Sequence, residues 1–241
     1  MIEPTLVMLH KQLREAFKSP RDFWRALREY TAGTRRRTRI TDIDGLAEFL
    51  DTRASHVAQT ALYGYLRTRA GARYPELFAN DDFMISVNRA KWRMWLACLS
   101  DLAVFSGGLL ANRTGKEVSG LMTGVCEAIL ARTGVPEDAG EAFEEHAAGL
   151  RARIAATDFF AVGDDESAFT VSPDALVESA PVIEKLRELD GEIVRNSVRF
   201  RWQEVRRDLR RGLDADAVLA GAAAGSQTAP TSAGPAAPGA L

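Results

Sequence analysis

The chain has 241 residues, with 31 Lys+Arg against 33 Asp+Glu for a formal charge of −2, and is 46% hydrophobic and 27% charged. This suits a globular protein with a sizeable core and excludes wholesale disorder, collagen-like repeats and a disulfide scaffold. Two cysteines, Cys98 and Cys126, fall short of the roughly four clustered ligands of a structural zinc site and read as apolar helix residues in a reducing compartment.

The opening MIEPTLVMLH carries an acid and no Lys or Arg, unlike a secretory signal. The cytoplasm is the expected location. Helical punctuation follows. Ser19-Pro20-Arg21-Asp22 offers a hydroxyl cap, a proline at the first helical position and a carboxylate in the first turn. Thr41-Asp42-Ile43-Asp44 repeats the signal, Thr114-Gly115-Lys116-Glu117 reads as a capping box, and Ser172-Pro173 opens another helix. Gly33, Gly71 and Gly134 mark helix ends.

Between these marks the apolar period is close to that of a helix. Stripes run through Leu6, Leu9, Leu13 and Phe17, through Val118, Leu121, Met122, Val125, Cys126, Ile129 and Leu130, and through Ile183, Leu186, Leu189, Ile193 and Val194. The pattern predicts helices near 4–17, 20–31, 42–70, 81–111, 115–133, 137–157 and 173–213, the last bending at Pro181. Met94 to Ala111 is nearly long enough to span a bilayer, but Asp101 and Gly107-Gly108 favour a buried core helix, and no transmembrane span is expected. Strand-like material is confined to 159–162 and 168–171, at most one small β-hairpin. The fold class is all-α: a single multi-helix bundle of about seven helices over residues 1–213. An Ala/Gly/Pro-rich disordered tail is expected over 214–241.

Charge is segregated along the chain. Residues 1–73 hold 14 basic and 8 acidic residues, residues 136–194 hold 4 and 15, and residues 195–213 hold 7 and 2. Two readings follow: the acidic and basic stretches neutralise one another internally, or the basic ones meet an outside anion.

Catalytic signatures fail one by one. The Gly115-Lys116 pair lacks the first glycine and the hydroxyl of a phosphate-binding loop, and no dinucleotide fingerprint is present. His10, His56 and His146 each lack the Glu three residues earlier that a di-iron bundle requires. Asp81-Asp82 lacks the third carboxylate of a magnesium motif, and Asp164-Asp165-Glu166 reads as a solvated turn. No metal or cofactor is expected. A serine-dependent, esterase-like hydrolase remains as the alternative reading. Ser106, before Gly107-Gly108, would be the nucleophile, His56 the base and Asp101 its orienting carboxylate. The competing reading of Gly107-Gly108 is a helix end or kink. Asn88-Arg89-Ala90-Lys91-Trp92-Arg93-Met94-Trp95 interleaves cations with Trp, which suits base stacking less well than a core-facing helix with snorkelling Arg.

The strongest surface signal is the late helix, where Val198, Trp202, Val205 and Leu209 form an apolar stripe among seven Arg. A basic amphipathic helix suits an acidic protein surface first, then a peripheral anionic membrane or a nucleic-acid backbone. The function expected from sequence is therefore a non-enzymatic binding or adaptor protein. Its contact residues would be Arg195, Arg199, Arg201, Trp202, Arg206, Arg207, Arg210 and Arg211, helped by Arg35, Arg36 and Arg37. Internal pairing of this helix with residues 136–166 is the competing reading.

Overall fold

A computed structural model describes residues 39–227. The expected helices at 4–17 and 20–31, Arg35, Arg36 and Arg37, and residues 228–241 lie outside the described residues. The fold is all-α. In chain order the helices are α1 (Ile43–Ala70), the single turn α2 (Tyr74–Phe78), α3 (Asp81–Thr114), α4 (Ser119–Thr133), α5 (Phe143–Ala156), α6 (Val171–Ser179), α7 (Glu184–Gly212) and α8 (Ala215–Gln227). Short 3₁₀ turns fall at Gly71–Arg73 and Phe159–Ala161.

Local chemistry sets the helix ends. Asp42 accepts the Gly45 N–H at 2.7 Å and Asn80 accepts the Phe83 N–H at 2.9 Å, so α1 and α3 begin on carboxylate and amide caps. Gly71, Gly115 and Gly134 close α1, α3 and α4 at φ of 53°, 66° and 63°, where a side chain would be strained. The expected capping box at 114–117 divides between two helices. Thr114 is the last residue of α3, its hydroxyl donating to the Leu110 carbonyl, while Glu117 accepts the N–H groups of Val118 and Ser119 at the start of α4.

Helix α3 is the axis of the fold. It packs against α1, α5 and α6, with α7 laid across α6 and α1. Its segment from Met94 to Ala111 is buried on all sides, which is why that sequence lacks a polar face. The helix is long and apolar enough to cross a membrane, and its most apolar 18-residue window is wholly buried within the fold. It runs unbroken through Gly107 and Gly108, which therefore do not end it. Those positions are small because the 159–162 turn lies against them: a Cβ on Gly107 would sit 2.2 Å from Phe159 Cε1, and one on Gly108 2.7 Å from Val162.

Two expectations are corrected, and the strand-like stretches, where at most one hairpin was expected, form none: 159–161 is a 3₁₀ turn, Val171 begins α6, and among the described residues the only β-type pairing is the Ile40–Leu213 bridge. That bridge joins the start of the described chain to the end of α7 through Ile40 N–H to the Gly212 carbonyl and Asp214 N–H to the Ile40 carbonyl, both 2.9 Å. The expected helix 173–213 is two helices, separated at 180–183 around Pro181, which has no N–H to continue the ladder. Residues 214–227 do not begin a disordered tail. Asp214 accepts the Ala217 N–H at 3.2 Å, α8 follows, and its Ala215 and Val218 are buried; alanine-rich sequence needs little further support to stay helical once one side is covered.

Candidate functional site on the outer face of helix α7

The residues proposed for a hydrolase are placed in structural roles. Ser106 is 0% exposed and its hydroxyl donates to the Leu102 carbonyl at 2.7 Å, the usual recourse of a serine inside a helix. Asp101, also buried in α3, accepts from Arg153 at 2.6 Å, from the Val171 N–H at 3.1 Å and from the Ser172 N–H at 2.8 Å. Its carboxylate thus caps the start of α6 from a neighbouring helix. Burial pushes the Asp101 carboxyl up, against the pull of the Arg153 guanidinium and the Ser172 donors. His56 lies on α1 towards α7; burial, then Arg53, lower its pKa, and its buried Nδ1 has no hydrogen-bond partner among the described residues. No hydrogen bond links His56 to Ser106 or to Asp101.

Other candidates resolve in the same way. Trp95 is buried with its indole N–H on Asp51 at 3.1 Å, and Trp92 donates to Asp138 at 2.6 Å beside Lys91. Cys98 and Cys126 are free and buried, and burial raises both thiols, Cys126 to about 12. Among the described residues no cluster of three His, Cys, Asp or Glu side chains is arranged to hold a metal ion. A shallow, open depression between α4 and α5, lined in part by Leu130, Val135, Phe143 and Arg151, contains no paired nucleophile and base.

The basic helix is partly spent inside the fold. Arg195 binds Asp174 at 2.6 Å, Arg210 binds Asp164 at 2.5 Å and stacks over Phe105, and Arg206 lies over Phe169 with Glu166 at 3.9 Å. Arg201 donates to the Thr60 carbonyl at 3.2 Å. Trp202, expected at the contact surface, is 1% exposed and donates to the Ser172 hydroxyl at 3.0 Å. The segment 164–166 is therefore a counter-charge for α7 rather than a free turn, Asp165 capping the Ser167 N–H. Arg199, Arg207 and Arg211 face outwards. The first two make only contacts within their own helix, at 3.0–4.0 Å, and Arg211 has no ion pair among the described residues.

What remains on that outer side was not expected. Val194, Val198, Trp202, Val205 and Leu209 turn α7 towards the core. On the opposite side Leu189, Ile193 and Phe200 are 75%, 72% and 69% exposed. Their spacing of four and seven residues puts them on one line down the helix. The expected core stripe through Leu189 and Ile193 is thus corrected: Val194 enters the core and those two do not. The signal for this face was in the sequence as a second apolar period within one helix, set about half a turn from the first.

No family model, curated protein or solved structure matches this chain.

Proposed function

We propose that the chain is a non-enzymatic helical binding protein of the cytoplasm that docks an acidic protein surface through the outer face of α7. One observation carries the reading: three large apolar side chains stand mostly exposed in a line along a 29-residue helix whose other side is locked into the core. An aligned apolar stripe on a surface helix is a common form of docking site, whereas single exposed apolar residues need no explanation. Arg199, Arg207 and Arg211 flank the stripe and give the face its preference for negative charge. The contact set is accordingly Leu189, Ile193, Phe200, Arg199, Arg207 and Arg211, in place of the internally bonded Arg195, Arg201, Trp202, Arg206 and Arg210.

The test is co-purification of the tagged full chain from its native host at low salt, beside Ile193→Gln/Phe200→Gln. Glutamine keeps helix propensity and removes the apolar contact. A protein partner retained by wild type and lost from the variant at unchanged helicity is expected. Equal retention by both would overturn the reading. Binding to anionic vesicles or to nucleic acid that fades with salt, with no protein partner, would replace it with a membrane or backbone contact.

A further inference from the structure

We infer that the outer face of α7 is covered from within the same chain, by residues 20–31, and that an acidic partner docks by displacing them. The inference rests on the docking reading above and adds how that site is regulated. It starts from the point where the described chain begins. Ile40 donates to the Gly212 carbonyl and accepts from the Asp214 N–H, both at 2.9 Å, its side chain is 2% exposed, and Arg39 binds Asp214 at 2.7 Å. Residues 1–38 therefore join the fold at the C-terminal end of α7, the helix that carries the exposed stripe. The seven residues 32–38 reach up to about 25 Å when extended. Phe200 stands about 18 Å back along α7 from Gly212, on the far side of a helix about 10 Å across, and so within that reach. From Phe200 to Leu189 is about 16 Å, and twelve residues of helix measure about 18 Å. Residues 20–31 thus have the length of the stripe and a linker that reaches it.

The segment has the sequence of a helix that needs such a surface. Helical spacing sets Phe23, Leu27 and Tyr30 on one side with Trp24 beside them, and Arg21, Arg25 and Arg28 round the other. Twelve residues are marginal as an isolated helix in water, so an amphipathic helix of that length depends on covering its apolar side. Among the described residues, the large apolar side chains exposed away from α7 stand one to an element: Ile85 on α3, Val135 before α5, Phe160 in a 3₁₀ turn and Val171 at the start of α6. The line on α7 is the one that matches a helix side. Charge supplies the other half of the argument. Residues 1–38 hold nine basic and four acidic residues, the same sign as Arg199, Arg207 and Arg211. The cover is held by apolar contact and by its short tether, which keeps a weak contact filled. An acidic partner gains the electrostatic attraction that the segment lacks.

The experiment uses the full chain. Hydrogen exchange read by mass spectrometry should find the amides of residues 20–31 protected in wild type and unprotected in Ile193→Gln/Phe200→Gln. Unprotected exchange of 20–31 in wild type overturns the cover, and so does equal protection in both, which would seat the segment on another surface. A reciprocal measurement keeps the test decisive where the α7 variant fails to fold. Asn196→Cys places a thiol on the exposed face, the two native cysteines being buried. Its labelling by a maleimide should be slow, and should accelerate when Phe23→Gln/Leu27→Gln is added. An unchanged labelling rate overturns the cover.

Recovered protein scores the docking reading separately. Phe23→Gln/Leu27→Gln should retain more partner than wild type at low salt, and equal retention overturns the displacement. A partner lost on Ile193→Gln/Phe200→Gln, with 20–31 unprotected in wild type, leaves the docking face standing and removes only the cover. Protection of 20–31 that depends on Ile193 and Phe200, with no partner lost from that variant, keeps the cover and removes the docking reading and the displacement with it.

Discussion

Asp101 and Arg153 form a buried-to-surface ion pair at 2.6 Å that joins the central helix to α5, and the same carboxylate holds the first two N–H groups of α6. One acidic residue in the middle of an apolar helix therefore organises three elements. Its removal leaves a guanidinium and two helix-end donors without their acceptor. Asp101→Ala should lower unfolding free energy by about 3–5 kcal/mol, the usual cost of breaking a buried pair from one side. Urea titration of wild type and variant measures it, and a change under about 1 kcal/mol would show that these donors find other partners.

Glycines on neighbouring helices should respond with opposite signs. Gly107→Ala drives a methyl into Phe159, itself 2% exposed, and should cost about 1–3 kcal/mol as overpacking. Gly124→Ala on α4 meets nothing within 4 Å and should gain about 0.5–1 kcal/mol from reduced backbone freedom in the unfolded chain. Thermal melts of the two single variants decide the matter. A loss at both positions would contradict the packing described for α4.

The Arg210–Asp164 contact bears on how the basic helix should be probed. Arg210→Glu should destabilise the fold slightly and lose the stacking over Phe105, and adding Asp164→Arg should recover part of the loss. A double-mutant cycle is expected to give a coupling of about 0.5–1 kcal/mol for this partly exposed pair. Zero coupling would return Arg210 to the set of free surface cations.

Acid should weaken the protein through two histidines. Burial, then Arg53, lowers the pKa of His56, with Arg201 also lowering it and Glu204 opposing; burial, then Arg93, lowers that of His146 against Glu145 and Glu178. A folded-state pKa below the ordinary value of about 6.5 means that the unfolded chain binds protons more readily. The stabilisation is complete above that value and is lost as pH falls through the lower folded pKa. Urea midpoints measured between about pH 7.5 and 5 should decline, and the decline should flatten in His56→Gln/His146→Gln. An unchanged slope in the double variant would assign the acid sensitivity to carboxylates.

Much of the architecture was readable along the chain because helix ends are local events. Asp42, Gly71 and Gly134 act within one turn of themselves, so their meaning does not depend on the rest of the fold. The apolar run from Met94 was likewise readable as a core helix, since burial on all sides removes the need for a polar face. The division of residues 171–227 into three helices was not: Ser172 and Pro173 looked like a helix start, yet the group that caps this helix is Asp101, 70 residues earlier.

Sequence by itself determined that this protein is helical, where α1 and α3 begin and end and where α4 and α5 end, and that its charge is segregated by segment. Only the tertiary structure decided which charges meet, because Arg210 and Asp164, or Arg195 and Asp174, are neighbours only once α7 is laid against the loop before α6 and against α6 itself. It also decided which side of α7 faces outwards. A helical period states that a helix has apolar stripes, and α7 has two; the choice between Val194-Val198-Trp202 and Leu189-Ile193-Phe200 belongs to the surface it packs against. The pocket for Trp202, between Phe169 and the Ser172 hydroxyl, accepts the first stripe and leaves the second exposed.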